Sequence, residues 1–408
     1  MRYLFIHQNF PGQFLHLVRH LVRDPANEIL FITEPTTNAI PGVRTFCYQP
    51  PRPSETTYAD AQFIEECLIR ARIVGSAAER LKELGFVPDI VIGHHGWGEL
   101  LNIDDVWPGV PLLGYCEFYY RVHGYDVGFD PEFPNAPDGL PKVRAKNTIN
   151  LLALNNPGHG QTPTAFQLGT YPTWAQPRIT VLPEGVDLDA CAPNPEIRTT
   201  TLDLGGFQVA PTDTLVTYVA RDLEPYRGAH TMIRALPRLL RLRPNLKVVM
   251  VGGDGVSYGP RLINRTWRQY YMAEVAGVID EARICFPGRV PYPTFLALLQ
   301  RSDAHVYLTY PFVVSWSLRE ALACGCAVIG SDTAPVREFV THRRTGMLVP
   351  FTDPAAVTAA VAELLDDPAL AARLRRNARR LAERTLRMDT YIASYERLIA
   401  RVIDGTAA

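Results

Sequence analysis

The most constraining feature of this sequence is an alternation of short apolar runs with helical patterns, which occurs twice along the chain. In the first series the apolar runs cover residues 3–7, 28–33, 89–93 and 112–116. The second series begins near residue 214 and contains LVTYVAR, LKVVMVGG, RICFPG, AHVYLTY and AVIGSD. Such runs, bounded by helical segments, are typical of parallel strands buried on both faces. The sequence therefore predicts an α/β fold with two doubly wound, Rossmann-like domains.

The length of the chain supports two separate cores. A chain of 408 residues with 47% hydrophobic content is too long for one ordinary core. Residues 191–214 are rich in Pro, Thr and Gly, as expected of a boundary region. The last helical pattern has apolar residues at 392, 395, 398, 399 and 402, so it must bury one face. We expect a first domain over 1–190, a second over 191–385, and a helix over 386–408 that returns to the first domain.

Charge and cysteine content exclude several classes of protein. The chain has 41 Lys+Arg and 42 Asp+Glu, so it lacks the basic field that a nucleic-acid partner would require. Its seven cysteines include no C-x-x-C pair, which indicates small buried side chains in a reducing cytoplasm rather than disulfides or a zinc site. No apolar run is long enough for a transmembrane segment or a secretory signal. We expect a cytoplasmic protein, and the oligomeric state stays open.

Two arginines follow the first strand of the second series. In YVARDLEPYRG, Arg221 ends the strand, and Arg227 and Gly228 precede a helix. Guanidinium groups at a helix N-terminus suit a pyrophosphate, because both offer hydrogen-bond donors to an anion. The alternative is that both arginines form surface ion pairs.

The next strands of this series end in further candidate residues for a nucleotide. Gly253 would let the backbone approach a ligand closely. Phe286 and Arg289 stand where backbone contacts to a nucleobase would be made. An ordinary turn explains each of these features equally well.

The segment VYLTYPFVVSWSLREALACG combines a strand end, a tight turn and a helix. The turn contains Val313, Val314 and Ser315, whose backbone N–H groups could face a ligand, and Glu320 lies on the helix. A buried carboxylate needs polar partners, and ribose hydroxyls are suitable ones. The alternative is that Glu320 caps the helix or pairs with a nearby arginine.

In the first domain, the loop over 116–139 is dense in aromatic and acidic residues. Glu117, Tyr119 and Asp130 could hold a hydroxyl-rich or cationic acceptor through ring contacts and carboxylate hydrogen bonds. A long loop packed by its own aromatic residues is an equal alternative. Asp187 and Asp189 form a D-x-D pattern, but their place between the domains argues against a metal site.

These segments, in this order and spacing, resemble the carboxyl-terminal half of the family 4 glycosyltransferases, which have the GT-B fold. The resemblance covers about residues 180–350, including VLPEGVD with Glu184 where the family usually has Asn. It implies two Rossmann-like domains facing across a cleft and a nucleotide-sugar donor held by the second. Arg221 and Arg227 would bind the donor diphosphate and act in catalysis, with Arg227 replacing the usual Lys.

The resemblance also assigns residues in the first domain and shows one departure. It implies that Gly12, in a loop after the first strand, lies near the donor phosphates. It also implies that His94 faces the donor sugar as a catalytic residue, in preference to His95. Phe312 stands where the family has the first of two glutamates, which puts the contact to the sugar in doubt. Ser315 or Ser317 could make that contact instead.

The resemblance implies a retaining hexosyltransferase that uses a UDP- or GDP-sugar as substrate, without metal or other cofactor. Its partners would be the nucleotide sugar and a hydroxyl-bearing acceptor. Two alternatives stay open: a nucleotide-sugar epimerase of the same fold, and a non-catalytic sugar-nucleotide-binding protein, which the residue at 312 would favour. The acceptor, the sugar and the base are not indicated by the sequence.

Overall fold

The computed structural model describes residues 1–135 and 139–407, which the contacts divide into two compact units. The first unit contains Met1–Gly128, Phe133–Gly185 and the chain from Asp389 onward. The second contains Val186–Met388 together with the short segment Phe129–Glu132. The contact boundaries thus lie at 185/186 and 388/389, and four residues of the predicted acceptor loop belong to the second unit. Residues 136–138 of that loop lie outside the described residues.

The first unit is built on a parallel sheet of seven strands in the order β3-β2-β1-β4-β5-β6-β7. The strands are β1 Arg2–Ile6, β2 Glu28–Thr33, β3 Val43–Cys47, β4 Ile90–His94, β5 Leu112–Tyr115, β6 His159–Thr162 and β7 Ile179–Val181. The helices between them are α1 Leu15–Leu21, α2 Gln62–Glu83, α3 Ile103–Val106, α4 Gly139–Leu154 and α5 Ala165–Thr170.

The second unit has a six-stranded parallel sheet in the order β12-β11-β10-β13-β14-β15, and a separate two-stranded antiparallel pair. The pair is β8 Leu202–Asp203 and β9 Gln208–Val209; the sheet strands are β10 Thr214–Asp222, β11 Leu246–Gly253, β12 Ile284–Cys285, β13 Ala304–Tyr307, β14 Val328–Ser331 and β15 Met347–Val349. The helices are α6 Ala229–Leu242, α7 Trp267–Glu274, α8 Tyr292–Arg301, α9 Trp316–Ala323, α10 Ala334–Arg337, α11 Pro354–Asp366 and α12 Pro368–Thr385.

Each unit has its own apolar core, as the two series of strands predict. In the first unit Leu4 and Ile6 of β1 pack in one cluster with Val74 of α2. In the second, Tyr307 of β13 packs with Leu318 of α9. The central strands are buried on both faces because helices cover both sides of a parallel sheet. The predicted α/β class with two doubly wound domains is confirmed.

The last helix is α13 Met388–Ile403, which belongs to the first unit from Asp389 onward. Its buried residues include Ile392, Tyr395 and Leu398, which recur at helical spacing on one face. On its exposed side Glu396 lies 2.9 Å from Nε2 of His20 in α1. The apolar face predicted from the sequence is therefore the face that packs.

The structure corrects one expectation about the cysteines. Six of the seven are buried, but Cys47 at the end of the edge strand β3 is exposed. All seven have free thiols. Of the helices that the structure describes, none combines the length and the apolar character needed to cross a bilayer.

Candidate functional site

The strand order of the second unit marks one point on its sheet where a ligand would bind. From β10 the chain builds the sheet first on one side, through β11 and β12, and then on the other, through β13. Open α/β sheets bind ligands at the carboxyl ends of the two strands where this reversal occurs. Arg221 lies at the carboxyl end of β10, residues 223–228 follow that strand, and residues 308–315 follow β13. The predicted residues Arg221, Arg227, Gly228, Val313, Val314 and Ser315 therefore lie at this position.

Arg227 joins these two loops directly. Its Nη1 donates to Oγ1 of Thr309 and to the carbonyl of Val313, both at 2.8 Å. The guanidinium carbon lies 5.0 Å from the centre of the Tyr258 ring, and the side chain is 5% exposed. Among the residues the structure describes, Arg227 forms no ion pair with a carboxylate. A buried guanidinium in such surroundings favours an anionic ligand.

Arg221 and Gly228, the other two residues predicted to bind the diphosphate, have different surroundings from Arg227. Arg221 is exposed at the end of β10. Gly228 has φ of +73° and precedes α6, and a Cβ there would lie 2.5 Å from Cβ of Leu308. Only glycine fits this position, because the start of α6 passes against the loop after β13. Gly228 thus has a structural role, whether or not it contacts a ligand.

Two carboxylates that the sequence analysis did not single out hold the glycine-rich loop after β11. Glu224 is fully buried and accepts backbone N–H groups from Ser257, Tyr258 and Gly259 at 3.1–3.3 Å. Burial raises the pKa of Glu224, although these three hydrogen bonds oppose the rise. The signal was present in the sequence as acidic residues directly after a predicted strand.

Asp222 explains why this loop contains glycines. It accepts a hydrogen bond from Ser257 Oγ at 2.5 Å, and Nη2 of Arg289 lies 3.2 Å from its Oδ1. A Cβ on Gly253 would lie 2.6 Å from the same carboxylate oxygen. The predicted residues Gly253 and Arg289 are therefore brought together by Asp222. Phe286, also predicted here, contacts the guanidinium of Arg268 at 5.3 Å.

The residues of the turn after β13 have more contacts within the protein than the sequence suggests. The backbone N–H of Ser315 donates to the hydroxyl of Tyr307 at 2.9 Å. The sequence analysis expected this N–H to face a ligand, but in the structure it already has a partner. The carbonyl of Val313 accepts from Arg227. The side chain of Val314 is buried in the core of the unit. The roles of these three residues in donor binding stay predictions.

Phe312 is buried within a group of aromatic side chains. Its ring centre lies 5.4 Å from that of Tyr226 and 5.0 Å from that of Tyr258. Tyr226 in turn stacks on Tyr310 at 4.4 Å. An apolar residue therefore suits position 312, because the family's glutamate would be buried against these rings.

Glu320 lies on α9 as expected, and its partner is a tyrosine rather than an arginine. The hydroxyl of Tyr292 donates to Oε1 at 2.9 Å. Burial raises the pKa of Glu320. The predicted contact to ribose stays a prediction, and Tyr292 is the group that a ribose hydroxyl would replace.

In the first unit, His94 and His95 have different environments. His94 ends β4; its Nδ1 accepts the N–H of Gly96 at 3.0 Å, and its Nε2 lies 3.5 Å from Glu117. Nε2 also accepts the indole N–H of Trp97 at 3.2 Å, so both ring nitrogens of His94 have partners within the protein. His95 instead bonds through Nε2 to the carbonyl of Asn150 at 3.2 Å, and burial lowers its pKa to about 4. The choice of His94 as the functional histidine stays a prediction.

His94 lies on the wall of a small pocket that we call the His94 pocket. The pocket lies at the carboxyl ends of β4 and β5 and beside α4. It is lined by four aromatic residues, four polar residues and one glycine: Phe63, Trp97, Phe118, Tyr120, His94, Glu117, Lys146, Asn150 and Gly96. Lys146 and Asn150 were missed by the sequence analysis because they lie on α4, far from the quoted motifs.

The loop with Gly12 is shaped by two buried side chains. Gly12 has φ of +55°, and a Cβ there would lie 3.1 Å from Nδ1 of His7. His7 accepts the N–H of Asn9 at 2.8 Å, and burial lowers its pKa to about 3. Glu99, which is fully buried, accepts the N–H of Gln8 at 2.5 Å. The sequence analysis did not single out His7 or Glu99.

The three predicted acceptor residues have different surroundings in the structure. Glu117 lines the His94 pocket. The backbone N–H of Tyr119 donates to Thr170 at 3.1 Å, and its ring packs against Tyr171 in the core of the unit. Tyr119 thus has a packing role.

Asp130 lies in the second unit, in the segment Phe129–Glu132. Its Oδ2 lies 2.9 Å from Nε2 of His230 and 3.2 Å from the hydroxyl of Tyr310. Burial alone would raise the pKa of Asp130, but hydrogen bonds from His230, the Glu132 N–H and Tyr310 hold it below its usual value. In the same segment, Glu132 forms an ion pair with Arg234. Asp130 therefore anchors the segment Phe129–Glu132 within the second unit.

The sequence matches two families of known proteins. Residues 25–191 match the glycosyl transferase family 4 group, and residues 206–381 match the glycosyl transferases group 1. A GDP-mannose-dependent alpha-(1-6)-phosphatidylinositol monomannoside mannosyltransferase of Mycolicibacterium smegmatis is 31% identical over 322 residues, 73% of each chain. A D-inositol 3-phosphate glycosyltransferase of Corynebacterium glutamicum is 30% identical over 192 residues, covering 47% of this chain and 44% of that protein.

Solved structures share the fold at lower sequence identity. Sucrose-phosphate synthase from Thermosynechococcus elongatus matches with a TM-score of 0.74 at 17% identity, covering 99% of this chain and 100% of that chain. Anabaena HepE in complex with UDP-glucose matches with a TM-score of 0.67 at 16% identity, covering 99% and 100%. With the family matches, these show that the chain is a glycosyltransferase of the GT-B fold and belongs to the glycosyltransferase family 4 group.

Proposed function

We propose that this glycosyltransferase transfers a hexose from a UDP- or GDP-sugar to a hydroxyl-bearing acceptor, with retention of anomeric configuration and without a metal ion. The choice of donors follows from the relatives, since one is named as GDP-mannose-dependent and one solved neighbour is a complex with UDP-glucose. The donor would bind at the carboxyl ends of β10 and β13 in the second unit.

The buried guanidinium of Arg227 is the observation that carries this proposal. It is 5% exposed, fixed by Thr309 and Val313, and lacks an ion-pair partner within the described part of the chain. A diphosphate at this position would supply the missing negative charge, and a fixed cation stabilises charge without having to reorganise during the reaction. Arg221, which is exposed beside it in the chain, can turn toward the same anion.

In the proposed reaction the bond between the anomeric carbon and the diphosphate oxygen breaks, and a bond forms between that carbon and the acceptor oxygen. The hydroxyl proton of the acceptor passes to the departing diphosphate oxygen. Negative charge grows on the diphosphate as the transition state becomes oxocarbenium-like. Arg221 and Arg227 stabilise that charge, and His94 contacts a hydroxyl of the hexose.

The first test is calorimetric titration of the full chain with GDP-mannose and UDP-glucose. We expect one of them to bind, and Arg227→Met to weaken it by about 100-fold, which corresponds to about 3 kcal/mol. Methionine keeps the apolar stem of the side chain and removes only the charge and its hydrogen bonds. The matched control is Arg238→Met, since Arg238 is an exposed arginine of the adjacent helix α6.

The outcome of the titration decides the donor site, and the product decides the reaction. Equal binding by the wild type and Arg227→Met would contradict the assignment of the diphosphate to Arg227. Nucleoside diphosphate released only when an acceptor is present, with an α-linked product from an α-linked donor, supports retaining transfer. An altered sugar on an intact nucleotide would show epimerisation instead. Loss of activity in chelator would contradict the metal-independent mechanism.

A further inference from the structure

The segment Phe129–Glu132 contributes a buried carboxylate to the second unit. Asp130 is 2% exposed, and polar groups surround both of its oxygens. Its Oδ2 lies 2.9 Å from Nε2 of His230 and accepts the hydroxyl of Tyr310 at 3.2 Å, while its Oδ1 accepts the N–H of Glu132 at 3.0 Å. Asp130 thus connects the segment to helix α6 and to the loop after β13.

Anchoring of the segment does not by itself account for this carboxylate. The ring of Phe129 lies 5.3 Å from that of Tyr310 and 5.5 Å from that of Phe351. At the other end of the segment, Glu132 forms an ion pair with Arg234 of α6. A buried charge is costly to desolvate, and a buried ion pair seldom improves stability over apolar packing. Because Phe129 and Glu132 already hold the segment, the carboxylate between them requires a separate explanation.

The explanation lies in the position of Tyr310 relative to Arg227. Nη1 of Arg227 donates to Oγ1 of Thr309 and to the carbonyl of Val313, so its two acceptors flank Tyr310 in the chain. The backbone N–H of Tyr310 also donates to the carbonyl of Tyr226, the residue before Arg227, at 3.1 Å. A displacement of Tyr310 would therefore move the groups that hold the Arg227 guanidinium.

Side-chain contacts connect the same residues a second time. The ring of Tyr310 stacks on that of Tyr226 with the centres 4.4 Å apart, and Tyr226 lies 5.6 Å from the ring of Tyr258. The Tyr258 ring in turn lies 5.0 Å from the guanidinium carbon of Arg227. Ring contacts occur over a wide range of separations and tilts, whereas a hydrogen bond to a carboxylate is short and directional. The bond to Asp130 therefore fixes where this row of rings lies.

We propose that Asp130 is a positioning residue for the donor site: by holding the hydroxyl of Tyr310 it fixes the loop after β13, and with it the guanidinium of Arg227, in place for a diphosphate. The inference rests on the proposed function, since it concerns the same donor site. Asp130 acts through Tyr310 and does not itself contact the donor. The residue that the sequence analysis assigned to the acceptor thus serves the donor instead.

The inference is tested by a double-mutant cycle on donor binding, measured by calorimetric titration of the full chain with GDP-mannose and UDP-glucose. Tyr310→Phe removes the hydroxyl and keeps the stacked ring, and Asp130→Asn removes the charge of its acceptor. We expect each substitution to weaken donor binding about fivefold, and the double variant to bind about as weakly as either single variant, because all three lose the same contact.

Glu132→Gln is the matched control, because Glu132 holds the same segment through Arg234. We expect this variant to bind the donor with the affinity of the wild type. The titration also gives the number of binding sites, which partial unfolding would lower without changing the affinity. A role of Asp130 in stability alone would therefore appear as fewer sites, and a positioning role as a higher dissociation constant.

Amide hydrogen exchange of the protein without donor measures the loop itself. The N–H of Tyr310, which donates to the carbonyl of Tyr226, should exchange about fivefold faster in Asp130→Asn and in Tyr310→Phe than in the wild type. In Glu132→Gln we expect its exchange to be unchanged.

Three results would overturn the inference. The first is a weakening of about 25-fold in the double variant, the product of two independent effects. The second is equal weakening by Glu132→Gln and Asp130→Asn, and the third is unchanged exchange of the Tyr310 N–H in both Asp130→Asn and Tyr310→Phe. If Asp130→Asn does not fold, Tyr310→Phe and Glu132→Gln decide by the same comparison of affinity and exchange.

The wild type and Arg227→Met test the proposed function separately. Donor binding that is lost in Arg227→Met and normal in Asp130→Asn would overturn this inference and leave the proposed function intact. If the wild type binds neither donor, the proposed function fails, and exchange of the Tyr310 N–H still decides whether Asp130 fixes the loop.

Discussion

The parallel sheets of the two units share the strand order 3-2-1-4-5-6, counted along the chain, and the first unit adds a seventh strand at the end. The loops that follow their first strands differ in charge. After β1 the loop reads HQNFPG and contains no lysine or arginine. After β10 the loop reads LEPYRG and places Arg227 in a buried position at the reversal point. The topology thus selects the same position in each sheet for a ligand, and the loop sequence decides whether that ligand can be a diphosphate.

The units also differ in how a buried glutamate holds a neighbouring loop. In the second unit both oxygens of Glu224 accept backbone N–H groups: Oε1 from Ser257, Oε2 from Tyr258 and Gly259. In the first unit Oε1 of Glu99 accepts one, from Gln8, while Oε2 has no partner among the described residues. More hydrogen bonds stabilise the charged form, so a carboxylate is needed at 224 and only tolerated at 99.

The largest expected effect is that of Gly228→Ala on stability. A Cβ at this position would lie 2.5 Å from Cβ of Leu308 and 3.0 Å from the Phe351 ring, and the backbone has φ of +73°. The overlap forces α6 away from the loop after β13. We expect a loss of about 3 kcal/mol or more, and a fall in the Tm of about 10 °C measured by scanning calorimetry.

Substitutions at two other glycines distinguish the effect of steric overlap on stability from the effect of backbone strain. Gly277 has φ of +75°, and a Cβ there would have no other atom within 4 Å, so Gly277→Ala should cost only about 1 kcal/mol. Gly12, the counterpart in the first unit, would contact only the ring of His7 at 3.1 Å, and its substitution should lie between the two. If Gly228→Ala and Gly277→Ala lower the Tm equally, close packing of α6 does not explain Gly228.

The next effect concerns Glu224→Gln. Because both carboxylate oxygens accept N–H groups, an amide NH₂ in place of either oxygen would face a donor, and at least one hydrogen bond would be lost. We expect a local loss of about 2 kcal/mol in the loop after β11, seen as faster amide hydrogen exchange at residues 257–259. Unchanged exchange there would contradict the role given to Glu224.

Much of the fold follows from the sequence because parallel strands buried on both faces are continuous apolar runs. This holds for β1, β2, β4 and β5, and for β10, β11, β13 and β14, each of which overlaps a predicted run. The sequence does not show β6, HGQT, since its polar side chains are buried by hydrogen bonds such as Gln161 Nε2 to the carbonyl of Leu182. Such partners are set by the tertiary structure, not by local pattern.

The candidate site likewise contains residues that the sequence reveals and residues that it does not reveal. Arg227 and His94 could be found because they lie at strand ends within short motifs. Glu99 could not, because its partner Gln8 is 91 residues away in sequence. Asp130 was placed with the wrong unit for the same reason: its neighbours in the chain are in the first unit, but its partners His230 and Tyr310 are in the second.

The smallest of the three effects in this comparison depends on pH and concerns Glu99→Gln. Burial raises the pKa of Glu99 from 4.5 to about 7, opposed by the charges of His94 and Arg70 and by hydrogen bonds from Gln8 and Tyr48. Between these two values the folded chain binds a proton that the unfolded chain has released. The free energy of unfolding contributed by this group therefore falls as pH rises from about 5 to about 7, and is constant above that.

Glutamine keeps the acceptor for the Gln8 N–H and cannot ionise, so it removes this dependence. At pH 5 we expect Glu99→Gln and the wild type to have similar stability, and at pH 8 we expect the variant to be more stable by about 2 kcal/mol. Urea unfolding at both pH values measures the difference, with Glu224→Gln as the contrasting substitution that destabilises at either pH. A variant that is less stable than the wild type at pH 8 would mean that the charged carboxylate of Glu99 is required, and the distinction drawn between the two buried glutamates would fail.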